Sequence, residues 1–102
     1  MVVLINEGTR SAKELLTFQF KKSKRAKLVG KRTAGAFIAA GMFTVGKTGA
    51  LELPVMDLRL DGEPLEGRGV APDIEVEAKD SYTERDTQLK AAKSALLKEM
   101  KR

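Results

Sequence analysis

The hydrophobic pattern changes period twice within the first 30 residues, and that change leaves few folds open. Val2-Val3-Leu4-Ile5 is a continuous apolar run rich in β-branched residues and closed by Asn6-Glu7-Gly8-Thr9. Such a run predicts a strand buried on both faces, followed by a turn. Ala12, Leu15, Leu16 and Phe20 then recur at helical spacing after a Ser/Thr-containing start, which predicts a helix from residue 11 to about 22. That stripe should face the core, and Phe18 falls off it. Lys27-Leu28-Val29-Gly30 reads as a second short strand. Strand, helix, strand in this order favours a parallel, right-handed crossover.

The middle of the chain has another character. Phe37 to Val45, Ala50 to Val55 and Met56 to Leu60 are apolar or alternating segments, separated by Gly46-Lys47-Thr48-Gly49 and by Asp61-Gly62. These are hairpin signals. Pro64, Gly67, Gly69 and Pro72 constrain the next loop, and Ile74-Glu75-Val76 offers one more short strand. From Asp86 onward, after a polar linker from Glu77 to Arg85, the stripe Leu89, Ala92, Leu96, Met100 marks a terminal helix with Lys90, Lys93 and Lys98 turned to solvent. Met42, Met56 and Met100 read as adaptable core filler.

Composition excludes several chemistries. With no Cys there is no thiolate nucleophile and no disulfide, and with no His the commonest general base and metal ligand are both missing from the 102 residues. No apolar run reaches the roughly 20 residues of a membrane span, and Met1 to Asn6 is too short and lacks the basic flank of a signal peptide. The net charge of +5 is modest, and hydrophobic and charged fractions of 42% and 32% are those of a folding chain. Lys21-Lys22-Ser23-Lys24-Arg25-Ala26-Lys27 clusters cations, but it lies at the end of the first helix, where they complement the helix dipole. No aromatic residue is interleaved for base stacking, so the run reads as a solvated helix end rather than a nucleic-acid site.

Ser11 is the residue with chemistry. Ser11-Ala12-Lys13-Glu14 is a capping box, whose Ser hydroxyl and Glu carboxylate satisfy orphan amides at the helix start for about 0.5–2 kcal/mol. The same placement suits a nucleophile, because a Ser where a strand turns into a helix is exposed at the sheet end with the Ala12 amide free to face an oxyanion. A hydroxyl also needs a base within hydrogen-bond reach.

Three blocks resemble the C-terminal processing, or tail-specific, serine peptidases. Val2 to Glu14 is similar to that family's nucleophile segment, Asn-x-Gly-x-x-Ser-Ala-x-Glu between a strand and a helix. Leu28-Val29-Gly30-Lys31-Arg32-Thr33-Ala34-Gly35-Ala36 looks like its Val-Gly-x-x-Thr-x-Gly stretch, and Leu65 to Val76 like the loop and strand closing its catalytic domain. The resemblance covers about residues 2–76, and the terminal helix, about 86–100, more loosely. It makes Ser11 the nucleophile, Ala12 a backbone oxyanion donor and Glu14 a supporting carboxylate. In the Ser-Lys branch the base directly follows the Gly of Thr-x-Gly, and that position is Ala36. The resemblance then leaves a base, such as a His, supplied from a part of the protein absent here, a substitute such as Lys13 or Lys31, or a degenerate relative that binds without cleaving. Lys13 should point to another face of the helix than Ser11, and Lys31 lies in a turn.

The expected fold is therefore α/β: a strand-helix-strand parallel unit plus antiparallel strands and a C-terminal helix, one domain over residues 1–102. By resemblance it is the C-terminal segment of a peptidase catalytic core of the ClpP/crotonase-like type, incomplete without an N-terminal part. The implied activity is serine endopeptidase cleavage near the C-terminus of proteins, with the isolated chain inactive. The alternative is a non-catalytic peptide-binding or scaffolding relative. The resemblance implies no cofactor and no metal, a peptide or protein substrate, and a periplasmic or otherwise extracytoplasmic setting. Exposed edges would favour self-association.

Overall fold

The computed structural model describes residues 1–101. Val2–Ile5 forms β1, Ala12–Ser23 α1 and Lys27–Gly30 β2. β1 and β2 pair in parallel, Val2 opposite Lys27 through Ile5 opposite Gly30, the arrangement the strand-helix-strand order favours. A third parallel strand, called β7 in chain order (Ile74–Glu75), joins the far side of β2 to give the order β1-β2-β7. Asp73 fixes that junction, because its carboxylate accepts the Leu28 N–H at 2.7 Å while its own N–H donates to the Leu28 carbonyl at 2.8 Å.

Alternation along β2 divides the core in two. Leu28 points to the α1 side with Ile5, Phe37, Leu65 and Val70, where Val3, Phe18 and Phe20 pack against them. Val29 points to the other side, where Ala92 and Ala95 of α2 (Thr87–Met100) meet it with Val2, Ile74 and Val76. The expected terminal helix thus packs on the sheet through small residues. Asp86 caps it, its carboxylate accepting the Leu89 N–H at 3.0 Å.

Between β2 and β7 the chain leaves the sheet. Ile38–Val45 (β3) and Gly49–Asp57 (β4) form an antiparallel ribbon, and Arg59–Leu60 (β5) pairs with Glu63–Pro64 (β6) across Asp61-Gly62. The break expected between Val55 and Met56 is instead a bulge inside β4. Ala39 pairs with Met56 and Ala40 with Pro54, so Val55 is the extra residue. Pro54 lacks the N–H of a regular ladder, which accounts for the bulge at that point.

Burial departs from expectation in four places. Leu4 is 46% exposed rather than buried on both sides, because β1 is the outer strand and the alanines of α2 are too short to cover it. In α1 the buried residues are Glu14 and Thr17, with Phe18 packed against the core, whereas Leu16 of the apolar stripe is 56% exposed. The helix is rotated so that Glu14 meets four hydrogen-bond donors. In α2, Leu89, Leu96 and Met100 of the expected stripe are exposed, and the contact is made one step round by Ala91, Ala92 and Ala95. Met42 and Met56 are not core filler, since the β3–β4 ribbon stands in solvent and leaves both exposed.

Candidate active site

The loop from β1 to α1 is built by its own polar residues. Asn6 accepts the Gly8 N–H on its side chain at 2.8 Å and the Thr9 N–H on its carbonyl at 2.9 Å, while the Asn6 N–H donates to the Thr9 hydroxyl at 3.2 Å. This folded turn delivers Ser11 directly before the helix. Ser11 is exposed and has φ 58°, ψ −130°, a left-handed conformation that a non-glycine residue adopts only when its surroundings enforce it.

Those surroundings are visible. The Ser11 N–H is shared between the Ala36 carbonyl at 3.0 Å and Glu14 Oε2 at 3.1 Å. The Glu14 N–H returns to the Ser11 carbonyl at 2.8 Å. The residues are disposed as in a capping box, but the hydroxyl makes no cap hydrogen bond and the main chain takes that part. The Ala12 amide, next along, donates to no group among the described residues.

Glu14 is fully buried beneath this turn. Its Oε1 accepts from the Thr33 hydroxyl at 2.6 Å and the Gly35 N–H at 2.7 Å, and its Oε2 from the N–H groups of Ala36 at 2.9 Å and Ser11. A buried carboxylate is tolerable only with such a complement of donors. Thr33 carries the network onward, its oxygen accepting the Val70 N–H at 2.7 Å. Gly69 (φ 65°) passes so close that a Cβ there would lie 2.5 Å from the Thr33 carbonyl oxygen, and a Cβ at Gly35 (φ 71°) would lie 3.1 Å from the main chain of Gly67 and Arg68. The three sequence blocks around Ser11, Thr33 and Gly69 are thereby one hydrogen-bonded unit.

Two hollows flank Ser11. One, of about 460 Å³, is lined by Arg10, Ser11, Ala36, Ile38, Glu52 and Glu66 among others. The other, of about 200 Å³, is apolar, with Ala12, Leu15, Phe37, Ile38 and Leu58 around Ser11. Ala36 therefore shares a hollow with Ser11 and presents only a methyl group to it. Lys31 is turned away, bound to Glu75 at 2.8 Å and Glu77 at 2.5 Å, and those hydrogen bonds raise its pKa beyond the ordinary lysine range. Lys13 is exposed and lines neither hollow. Glu66, whose carboxylate accepts the Phe37 N–H, is the polar wall residue that local sequence patterns do not reveal. It lies far from Ser11 in sequence, and only the fold unites them. No group of His, Cys, Asp and Glu among the described residues is arranged to hold a metal ion, and no described helix is long and apolar enough to cross a membrane.

The proteins this chain is similar to are named as proteases. Residues 1–76 match the family described as Peptidase family S41. The carboxy-terminal-processing protease of Bartonella bacilliformis is 32% identical over 78 residues, which is 76% of this chain and 18% of that protein. A tricorn protease homolog of Saccharolobus solfataricus is 35% identical over 106 residues, covering 98% of this chain and 10% of its own length. Among solved structures, tricorn protease superposes with a TM-score of 0.87 at 28% identity over 99% of this chain and 10% of its own, so the likeness includes α2. The photosystem II D1 C-terminal processing protease gives 0.64 at 31% identity over 74% of this chain and 20% of its own. The chain thus spans no more than a fifth of each of these relatives, while its match takes in the whole unit that knits Ser11, Thr33 and Gly69 together: it belongs to peptidase family S41.

Proposed function

We propose that Ser11 is the nucleophile of a serine peptidase that cleaves polypeptides near their C-terminus, with Ala12 and Glu14 in supporting roles. One observation carries this reading. An exposed serine is held in a strained strand-to-helix turn, between two hollows, with the next amide unbonded. Strain of this kind gathers where a side chain must be presented to a substrate. In the acyl-transfer step the Ser11 oxygen bonds to the scissile carbonyl carbon, the carbonyl oxygen takes up negative charge beside the Ala12 N–H, and the amine leaves with a proton. Water then releases the acyl group. Glu14 touches no reacting atom. It positions the Ser11 amide and the Gly35-Ala36 segment, and is a positioning residue.

The base that takes the Ser11 proton comes from outside these 102 residues. The sequence has no His, the Ala36 side chain is a methyl group with no lone pair, Lys31 is locked by two carboxylates, and Lys13 lines neither hollow. The chain by itself is therefore inactive. Residues 1–102 form one domain-sized segment of a larger catalytic core in this reading, and the extracytoplasmic setting of the processing proteases is carried over with it.

The test is active-site labelling of the intact protein with a fluorophosphonate. Labelling should map to Ser11, and Ser11→Ala should abolish it and lower turnover by at least about 10⁴-fold. Turnover unchanged by that substitution removes the assignment. Ala36 favours one second reading, a relative that binds peptides without cleaving them. That reading requires retained peptide affinity in a protein whose Ser11 is never labelled.

A further inference from the structure

A third hollow, wider than the two beside Ser11, is bounded by the loop that follows β6 and shares no residue with either of them. Its volume is about 680 Å³, within the range of small-molecule sites. Phe18 from α1 and Leu65, Pro64 and Val70 from the loop give it an apolar floor, and Lys21, Arg32 and Arg68 stand around it with Glu63 as the one carboxylate.

The cations are drawn together by the main chain. Lys21 donates to the Ala71 carbonyl at 2.7 Å and Arg32 to the Arg68 carbonyl at 3.0 Å, while Arg68 meets Glu63 at 2.6 Å. Each guanidinium has five N–H groups and the ammonium three, so these contacts leave most of their donors unused. Three positive charges against one negative leave the rim with an excess of two. Like charges held close repel unless an anion sits among them.

We propose that this hollow binds a carboxylate carried on an apolar body, the planar guanidinium groups gripping the carboxylate and Phe18, Leu65 and Val70 taking the body. Guanidinium geometry suits a two-oxygen planar group, and the apolar floor gives no purchase to a bare inorganic anion. The carboxylate has two possible sources, a free organic acid or the end of a polypeptide. Binding would act on a loop whose Gly67 N–H donates to the Gly35 carbonyl and whose Val70 N–H donates to Thr33. The site stands independently of what Ser11 does.

The experiment is a titration of the isotopically labelled chain with hexanoate, hexanamide and inorganic phosphate, followed by amide NMR shifts. Hexanoate should saturate shifts at Arg68, Gly69 and Val70, with hexanamide and phosphate each at least ten-fold weaker. Arg68→Gln combined with Arg32→Gln should weaken hexanoate by at least ten-fold while leaving the remaining spectrum folded. A peptide ending in a free leucine that binds tighter than hexanoate assigns the carboxylate to a chain end, and equal binding assigns it to a free acid. Equal affinity for hexanoate and hexanamide, or for hexanoate and phosphate, overturns the proposal, as does a folded double variant that binds like the parent.

Discussion

Two oxygens of Glu14 serve four donors on two separate segments, and of these only the Ser11 N–H has a second acceptor, the Ala36 carbonyl. Glu14→Ala strands the Thr33 hydroxyl and the Gly35 and Ala36 amides in a buried site. A stranded buried group costs about 1–3 kcal/mol, so the variant should lose at least about 3 kcal/mol of stability, seen as a lower urea midpoint with the slope unchanged. Glu14→Gln should fall between, since one side of the amide then faces donors with its own N–H groups. An alanine variant within about 0.5 kcal/mol of the parent would show that the network does not hold the loop. Gly69→Ala tests the same unit from the other end. A positive φ and a Cβ 2.5 Å from the Thr33 carbonyl oxygen should cost more than about 1 kcal/mol. The sequence makes Ser11 and Glu14 conspicuous but ambiguous, because capping and positioning use the same spacing. Thr33 shows no local sign of its place, since its partners Glu14 and Val70 are 19 and 37 residues away.

At the scale of the elements, existence and pairing were legible and the buried faces were not. The bounds of β1 and β2 follow from short apolar runs and turn residues, and parallel pairing follows from the helix between them. Which face of α1 is buried does not, because a stripe containing Glu14 and Thr17 looks solvent-facing until the donors it satisfies are known. The consequence is measurable: Leu16→Lys should leave stability within about 0.5 kcal/mol, whereas Phe18→Ala should cost roughly 2 kcal/mol, less than a fully buried phenylalanine. For α2 the cap is the exposed control point. Accepting the Leu89 N–H, and next the Tyr82 N–H, holds the Asp86 carboxyl below the usual aspartate range. A lowered folded-state pKa stabilises above the unfolded value and is lost as pH falls through the folded one. The start of α2 should therefore be unchanged from neutral pH down to about 5 and loosen below about 4. Amide exchange at Leu89 and Lys90 reads this out, and Asp86→Ala should show the loosened behaviour at neutral pH.

The whole molecule is longer than its chain length demands. Its extents are 58 × 34 × 19 Å and its radius of gyration is 16.9 Å, against about 13 Å for a compact chain of 100 residues. The excess is the β3–β4 ribbon, whose residues are almost all exposed. Phe43 pairs with Leu51 and Gly41 with Leu53, so Phe43, Leu51 and Leu53 lie together on one uncovered face. Uncovered apolar surface of this kind drives association, and both outer edges of the ribbon add unpaired main-chain groups that can template it. The chain should therefore self-associate in solution, with a sedimentation coefficient that rises over a hundredfold range of concentration. Placing Lys at both 51 and 53 should suppress that rise without moving the thermal transition, because neither leucine supports the two cores around Leu28 and Val29. A parent chain that sediments as a monomer across the range would show that the ribbon face is tolerated by water alone. Association that survives the double Lys variant would show that the contact lies away from the Phe43, Leu51 and Leu53 face.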